Sequence, residues 1–292
     1  MRSPSFTTAK STQFAAAVLA LVLLAGSRAA YAKDLRIAVI APDKSVAGKA
    51  FVSELSTSLA LSSDVLDDSL VWSAFDAVGP TTPYNMTTAE ARNFAAALGC
   101  DFVVLVRAGD QRRSSSEREE YYESYASIFA VSAKTGRLVD WSDPQFESSK
   151  PADASRSLKQ AIPSLAAALV KRLEKAAASE SAEISTPRIE EMPPDGSPLL
   201  RELRPPVPYR RLKPEYTSLA FLYEIAATVE LELDLDASGE ITRTEIVRWA
   251  GYGLDESVQK AVRAMNWRPA ERNGKPLPMR VLLRYNFKKV DK

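Results

Sequence analysis

Histidine is absent from this 292-residue chain, and cysteine occurs once, as Cys100. Without histidine, serine–histidine and cysteine–histidine mechanisms and histidine metal ligation are excluded, and one cysteine allows no intrachain disulfide and no two-cysteine zinc spacing. Cys100 lies in an apolar run, which favours a buried core residue over a reactive thiol. No other groups can be matched as a catalytic pair, so we expect a protein that is not an enzyme and that needs no cofactor.

The chain also lacks a surplus of charge of either sign. It holds 38 basic and 37 acidic residues, a formal net charge of +1. Residues 1–32 contain three of the basic residues and no acid, which leaves 35 basic against 37 acidic residues, a net charge of −2. Because binding to phosphates requires an excess of lysine and arginine, this balance argues against nucleic acid as the partner.

Residues 1–32 have the composition of a secretory signal peptide. Basic Arg2 and Lys10 precede an apolar run from Phe14 to Ala25, and small residues before Ala32 indicate cleavage there. The run is shorter than the roughly 20 residues that cross a bilayer. We therefore expect a periplasmic product without a stable membrane span, and an uncleaved inner-membrane anchor is the alternative.

Residues 33–178 alternate between strand and helix patterns, which predicts a compact α/β domain. Thr87 and Glu90 are spaced as a capping box at a helix start. The patterns predict strands over 35–42, 69–78, 101–108, 121–133 and 137–141, and helices over 47–61, 87–99 and 155–178.

Residues 179–213 are rich in proline and charge. Proline has no amide donor and a fixed φ, so the composition predicts a linker that forms no core and runs as an extended spacer.

Residues 214–292 carry the pattern of a second domain. Residues 228–236 and 279–287 alternate between apolar and polar side chains, as in half-buried strands, and Ser238-Gly239 marks a turn into another strand over 241–249. Apolar residues from Leu254 to Met265 recur at helical spacing. The predicted fold class is therefore α+β with two domains, the second being a three-stranded antiparallel sheet packed on a helix.

Two segments resemble known families. The order GLDESVQKAV, then NWRPAERNGKPL, then an alternating strand resembles the C-terminal domain of TonB-family energy transducers over about residues 214–290. More weakly, the run ending in LGCDFVVLV and the Thr-Gly hairpin after it resemble the N-terminal domain of TolB and the curli-export lipoproteins. Both resemblances imply a protein of the bacterial cell envelope.

The TonB resemblance implies that the last strand pairs with an extended segment of an outer-membrane receptor. If sheet order follows chain order, this strand lies at an edge, where backbone groups are free for β-augmentation. The partner-binding residues carried over by the resemblance are Arg280, Val281, Leu282, Leu283, Arg284, Tyr285, Asn286 and Phe287. The plainer alternative is an edge that basic side chains protect and that binds nothing.

Two further alternatives remain open from the sequence. Asp234, Asp236, Gly239 and Glu245 match the spacing of a calcium-binding EF-hand loop, but a strand rather than a helix leads into them, so a β-hairpin is the better interpretation. The α/β domain could also be the working part of an envelope scaffold, with the C-terminal module forming a homodimer.

Overall fold

The computed structural model describes residues 35–182, 189–194 and 196–289. The predicted signal peptide and its cleavage site lie outside these residues. Among the described residues, no helix has both the length and the apolar character needed to cross a membrane.

The N-terminal part is a six-stranded mixed sheet covered by helices. The elements are β1 (Arg36–Ile40), α1 (Val46–Leu59), β2 (Asp64–Val65), α2 (Asp68–Val78), α3 (Thr88–Leu98), β3 (Phe102–Arg113), β4 (Tyr121–Ser132), β5 (Leu138–Ser142), β6 (Gln145–Ser148) and α4 (Pro151–Ala182). The strands follow the order β2-β1-β3-β4-β5, with β6 also paired to β4. Strands β2, β1 and β3 are parallel, and β4 runs antiparallel to β3, β5 and β6.

Helices cover both faces of this sheet. Phe51 and Leu55 of α1 and Ile162 of α4 are buried against one face, and Val71 of α2 and Phe94 of α3 against the other. The capping box is confirmed, because Thr87 Oγ1 accepts from the Glu90 amide while the Glu90 carboxylate accepts from the Thr87 amide.

The expected strand over residues 69–78 is wrong, because the segment is helix α2. The Asp67 carboxylate accepts a hydrogen bond from the Ser69 amide at 2.9 Å and so caps the helix start. A short apolar run suits a strand or a buried helix equally well, and here the capping residue decides.

The C-terminal part contains the predicted three-stranded antiparallel sheet. Leu254, Val258 and Val262 of its helix are fully buried, as are Leu231 and Leu233 of the central strand. The elements are α5 (Ser218–Leu222), β9 (Ala227–Leu235), β10 (Ile241–Arg248), α6 (Leu254–Arg263), β11 (Trp267–Arg268), β12 (Ala270–Arg272), β13 (Lys275–Leu277) and β14 (Met279–Phe287).

The described part of the proline-rich segment packs against the C-terminal part. This corrects the expectation of an extended spacer that forms no core. Strand β7 (Leu203–Arg204) pairs with β12, and β8 (Val207–Pro208) pairs with β11. Leu203 is buried with Ala270 and Met279 in a small core of its own. Proline removes its own donor, but the amides of its neighbours stay free to pair.

Aromatic side chains of the two parts meet in one core. Ring centroids of Phe129 and Trp249 lie 5.8 Å apart, and those of Trp141 and Tyr252 lie 5.1 Å apart. Gly251 has φ +70°, and a Cβ there would lie 2.8 Å from Phe129 and Trp141 ring atoms. Only glycine fits this contact, through which the two parts pack together.

Candidate functional site: the open edge of the C-terminal sheet

Strand β14 lies at an edge of the C-terminal sheet. The strand order is β10-β9-β14, so the first strand of the domain is central and the last one flanks it. This differs from the assumed chain order, although β14 is an edge strand in either arrangement. β14 pairs with β9 without a break from Met279 opposite Leu235 to Phe287 opposite Ala227.

Alternate residues of β14 direct their backbone groups away from β9. The Arg280 amide donates to the Glu190 carbonyl at 2.8 Å, and its carbonyl accepts from the Met192 amide at 2.9 Å, both on the outer side. In an antiparallel ladder the direction alternates with every residue. Leu282, Arg284 and Asn286 therefore direct three amides and three carbonyls outward, and no described residue is seen bonding them.

The eight residues predicted to bind a partner divide between two faces. Val281, Tyr285 and Phe287 are buried on the side of helix α6, together with the half-buried Leu283. Arg280 is half-buried on the opposite face. Leu282, Arg284 and Asn286 are exposed, and they are also the residues whose backbone groups face outward.

The face of the sheet opposite α6 carries rows of alternating charge. Arg280 forms two hydrogen bonds with Asp234, at 2.6 and 2.8 Å, and Asp234 also lies 3.7 Å from Arg243 of β10. In the next charged row, Arg284 bonds Glu230 at 2.7 Å. Bidentate pairs of this kind fix a side chain's geometry. Asp234, 1% exposed, raises the pKa of the Arg280 guanidinium chiefly through these hydrogen bonds.

A short segment of the chain occupies the outer side of β14 at one point. Glu191 forms a parallel bridge with Arg280. For this pairing to continue, the Leu282 carbonyl would need an amide donor at residue 194, which is a proline. The bridge therefore ends after one residue, and beyond Arg280 no residue that the structure describes pairs with the outer side of β14.

The opposite edge of the sheet, at β10, is contacted by the N-terminal part. The Trp249 amide donates to the Met86 carbonyl at 3.2 Å, and the Arg248 guanidinium donates to the Asn85 carbonyl at 2.9 Å. The Asn85 side chain accepts from the Thr228 amide at 3.0 Å and donates to the Thr228 and Trp249 carbonyls. Asn85 thus takes the place of a neighbouring strand at the start of β9.

A buried carboxyl group holds the loop between β10 and α6. The Asp255 carboxylate accepts from the Ala250 amide at 2.9 Å and from the Gly251 amide at 2.8 Å. Burial raises the pKa of Asp255 to about 7, although these two hydrogen bonds act in the opposite direction. This group connects the helix of the C-terminal sheet to the aromatic contact at Gly251.

The EF-hand-like spacing corresponds to a β-hairpin between β9 and β10, as the sequence interpretation favoured. The Asp236 carboxylate accepts from the amides of Ser238 and Glu240, at 2.8 and 3.0 Å, and so forms the turn. Asp234 is committed to Arg280. No cluster of three potential metal-ligating side chains is found within the described residues.

Sequence reasoning missed two parts of this site. The bridge between Glu191 and Arg280 has no local signal, because it joins residues about 90 positions apart. The charged rows did have a signal, since Glu230, Glu232 and Asp234 alternate along β9 while Arg280 and Arg284 alternate along β14. Opposite charges at the same spacing on two strands indicate cross-strand pairs.

Comparison with known proteins agrees with this architecture. Residues 213–288 match the model of the Gram-negative bacterial TonB protein C-terminal family. The chain carries a TonB-family segment. This TonB-family segment, residues 213–288, includes α5, β9 to β14 and α6. No curated protein matches the chain.

Several solved structures are similar to parts of the chain. The TonB C-terminal domain of Pseudomonas aeruginosa is 16% identical, with 36% of this chain and 99% of that chain covered and a TM-score of 0.27. A lipoprotein of Neisseria meningitidis is 14% identical, with 51% and 98% covered and a TM-score of 0.31. The LpoB C-terminal domain of Salmonella enterica is 13% identical, with 44% and 92% covered and a TM-score of 0.28.

Proposed function

We propose that the TonB-family segment binds an extended peptide of a partner protein, which adds to the open edge of β14 as a further strand. The observation that carries this proposal is the set of outward amides and carbonyls of Leu282, Arg284 and Asn286 on an edge strand. An added strand satisfies such groups, and its alternate side chains supply the selectivity.

The other edge of the sheet supports the same assignment. The N-terminal part contacts β10 through Asn85, Met86 and an isolated antiparallel bridge between Thr87 and Arg248. Arg137 of the N-terminal part also bonds Glu245 of β10 at 2.6 Å. The proposed partner strand therefore pairs with β14, at Val281 to Phe287.

Membership of the segment in the TonB family supports an envelope role. The protein acts in the periplasm, and the peptide belongs to an outer-membrane receptor-like protein. Binding of this kind serves energy-dependent transport across the outer membrane when the chain is also tethered to the inner membrane. The role is one of binding rather than catalysis.

The proposal is tested with two variants at one position. Leu282→Pro removes an outward amide, and proline is tolerated on an edge strand where that amide faces solvent. Leu282→Val keeps both the amide and an apolar side chain at the same position, which makes it the matched control. The probe is a capped seven-residue peptide of alternating apolar and polar residues, titrated into the purified chain by amide NMR.

We expect the peptide to shift the amide signals of residues 282, 284 and 286 in the natural chain and in Leu282→Val, and to leave those of Leu282→Pro unchanged. Shifts confined to another surface, or equal shifts in both variants, would refute the proposal. Sedimentation at several concentrations tests the alternative, in which the C-terminal modules form a homodimer and the α/β part acts as the scaffold. Self-association that Leu282→Pro abolishes would favour that alternative.

A further inference from the structure

The two arginines of β14 differ in how completely their charges are neutralised. The Arg280 guanidinium bonds Asp234, lies 3.7 Å from Glu232, and has Glu191 opposite it on the outer side of the edge. Its side chain is 20% exposed. Arg280 therefore has acidic residues on both sides of β14.

Within the part of the chain that the structure describes, Arg284 has a carboxylate on one side alone. It bonds Glu230, and that carboxylate also lies 3.5 Å from Arg248 of β10. The Arg284 side chain is 62% exposed. A guanidinium has five N–H donors; the Arg284 Nε donates to Glu230 and its Nη2 lies 2.6 Å from the same carboxylate, so further N–H donors of Arg284 remain for a partner.

The bridge at Arg280 places a glutamate of the chain opposite one of the two arginines. Arg280 and Arg284 lie on the same face of β14, about 13–14 Å apart at the usual rise per residue. The chain itself places a glutamate, Glu191, opposite Arg280, and proline at 194 stops the pairing before Arg284. A strand added beyond this point meets Arg284, which has no carboxylate opposite it among residues 35–182, 189–194 and 196–289.

We infer that the peptide bound at this edge carries a carboxylate side chain opposite Arg284. This inference rests on the proposed function and adds the chemical class of the partner. Opposite Leu282, which is 53% exposed, the same peptide presents an apolar residue. The partner is therefore an extended segment with an apolar residue and an acidic residue two positions apart, on the face opposite α6.

The test uses three capped peptides, Thr-Val-Leu-X-Leu-Val-Thr, in which X is Glu, Gln or Lys. The sequence is symmetric, so parallel and antiparallel binding place X alike. Affinities are measured by fluorescence anisotropy with the natural chain, with Arg284→Gln and with Lys288→Gln. The last variant removes a nearby exposed charge and is the control for unspecific attraction.

We expect the Gln peptide to bind about two- to fivefold more weakly than the Glu peptide, the upper range of an exposed ion pair, and the Lys peptide more weakly still. In Arg284→Gln the three affinities converge, while Lys288→Gln keeps their order. Equal binding of all three peptides to the natural chain would overturn the acidic preference and leave the proposed function standing. Binding of none of them would overturn both.

Discussion

Replacement of Asp255 by asparagine tests how the buried carboxyl group makes the free energy of unfolding depend on pH. Burial raises the pKa of Asp255 to about 7, from an ordinary value of 3.8. A carboxyl group whose pKa is higher in the folded than in the unfolded state favours folding fully at low pH. Its contribution is lost as the pH rises through the folded pKa.

The size of the effect follows from the two pKa values. At pH 5 the group is ionised in the unfolded chain and protonated in the folded one. This lowers the free energy of unfolding by roughly 1.5 kcal/mol relative to its value at low pH. At pH 8 the cost reaches roughly 4 kcal/mol, so the free energy of unfolding falls by about 2.5 kcal/mol between these conditions because of this one residue. An asparagine side chain does not titrate, so Asp255→Asn loses this part of the pH dependence.

Urea denaturation at pH 5, 6, 7 and 8 measures the difference between the natural chain and Asp255→Asn. Glu256→Gln is the matched control, since it removes one carboxylate at the next, exposed position. For Asp255→Asn, we expect the difference in free energy of unfolding from the natural chain to change by about 2.5 kcal/mol between pH 5 and pH 8. For Glu256→Gln, we expect the same difference to stay nearly constant. A constant difference for Asp255→Asn would mean that the two amide donors keep the carboxylate ionised, and the reasoning from burial would fail.

Three further substitutions test other contacts. Gly251→Ala should lower the free energy of unfolding by roughly 2–4 kcal/mol, because a Cβ overlaps two aromatic rings at a positive φ; urea titration followed by tryptophan fluorescence measures this. Asn85→Ala should cost about 1–3 kcal/mol in the same assay, since backbone groups of β9 and Trp249 lose their partner. Arg280→Gln should lower stability by about 3 kcal/mol, because buried Asp234 loses its bidentate partner, and a thermal midpoint unchanged by it would contradict this account.

The sequence predicted the faces of the C-terminal sheet because the signal is local. Apolar residues at every second position of β9 and β14 identify the side that packs on α6, and the stripe from Leu254 to Met265 identifies the helix face. The order of the strands could not be read in this way. Antiparallel pairing of β14 with β9 joins residues some 50 positions apart, and the alternation of each strand is the same whichever neighbour it has.

The candidate site could also be predicted only in part from the sequence. The eight residues from Arg280 to Phe287 were assigned by family resemblance, and their placement on an edge strand is now given by the sheet order. The sequence does not tell which of these residues direct their backbone groups away from β9. The bridge to Glu191 identifies them, and that bridge depends on the path of the proline-rich segment.

The geometry of the edge also limits how strongly a peptide can bind. Three outward amides and three outward carbonyls give six hydrogen bonds, each contributing a net of about 0.5–1.5 kcal/mol, or roughly 3–9 kcal/mol together. Loss of translational and rotational freedom on association costs about 4–15 kcal/mol. Backbone pairing alone therefore gives at best a weak complex. Under the proposed function, the side chains at Leu282 and Arg284 must then decide which peptides bind.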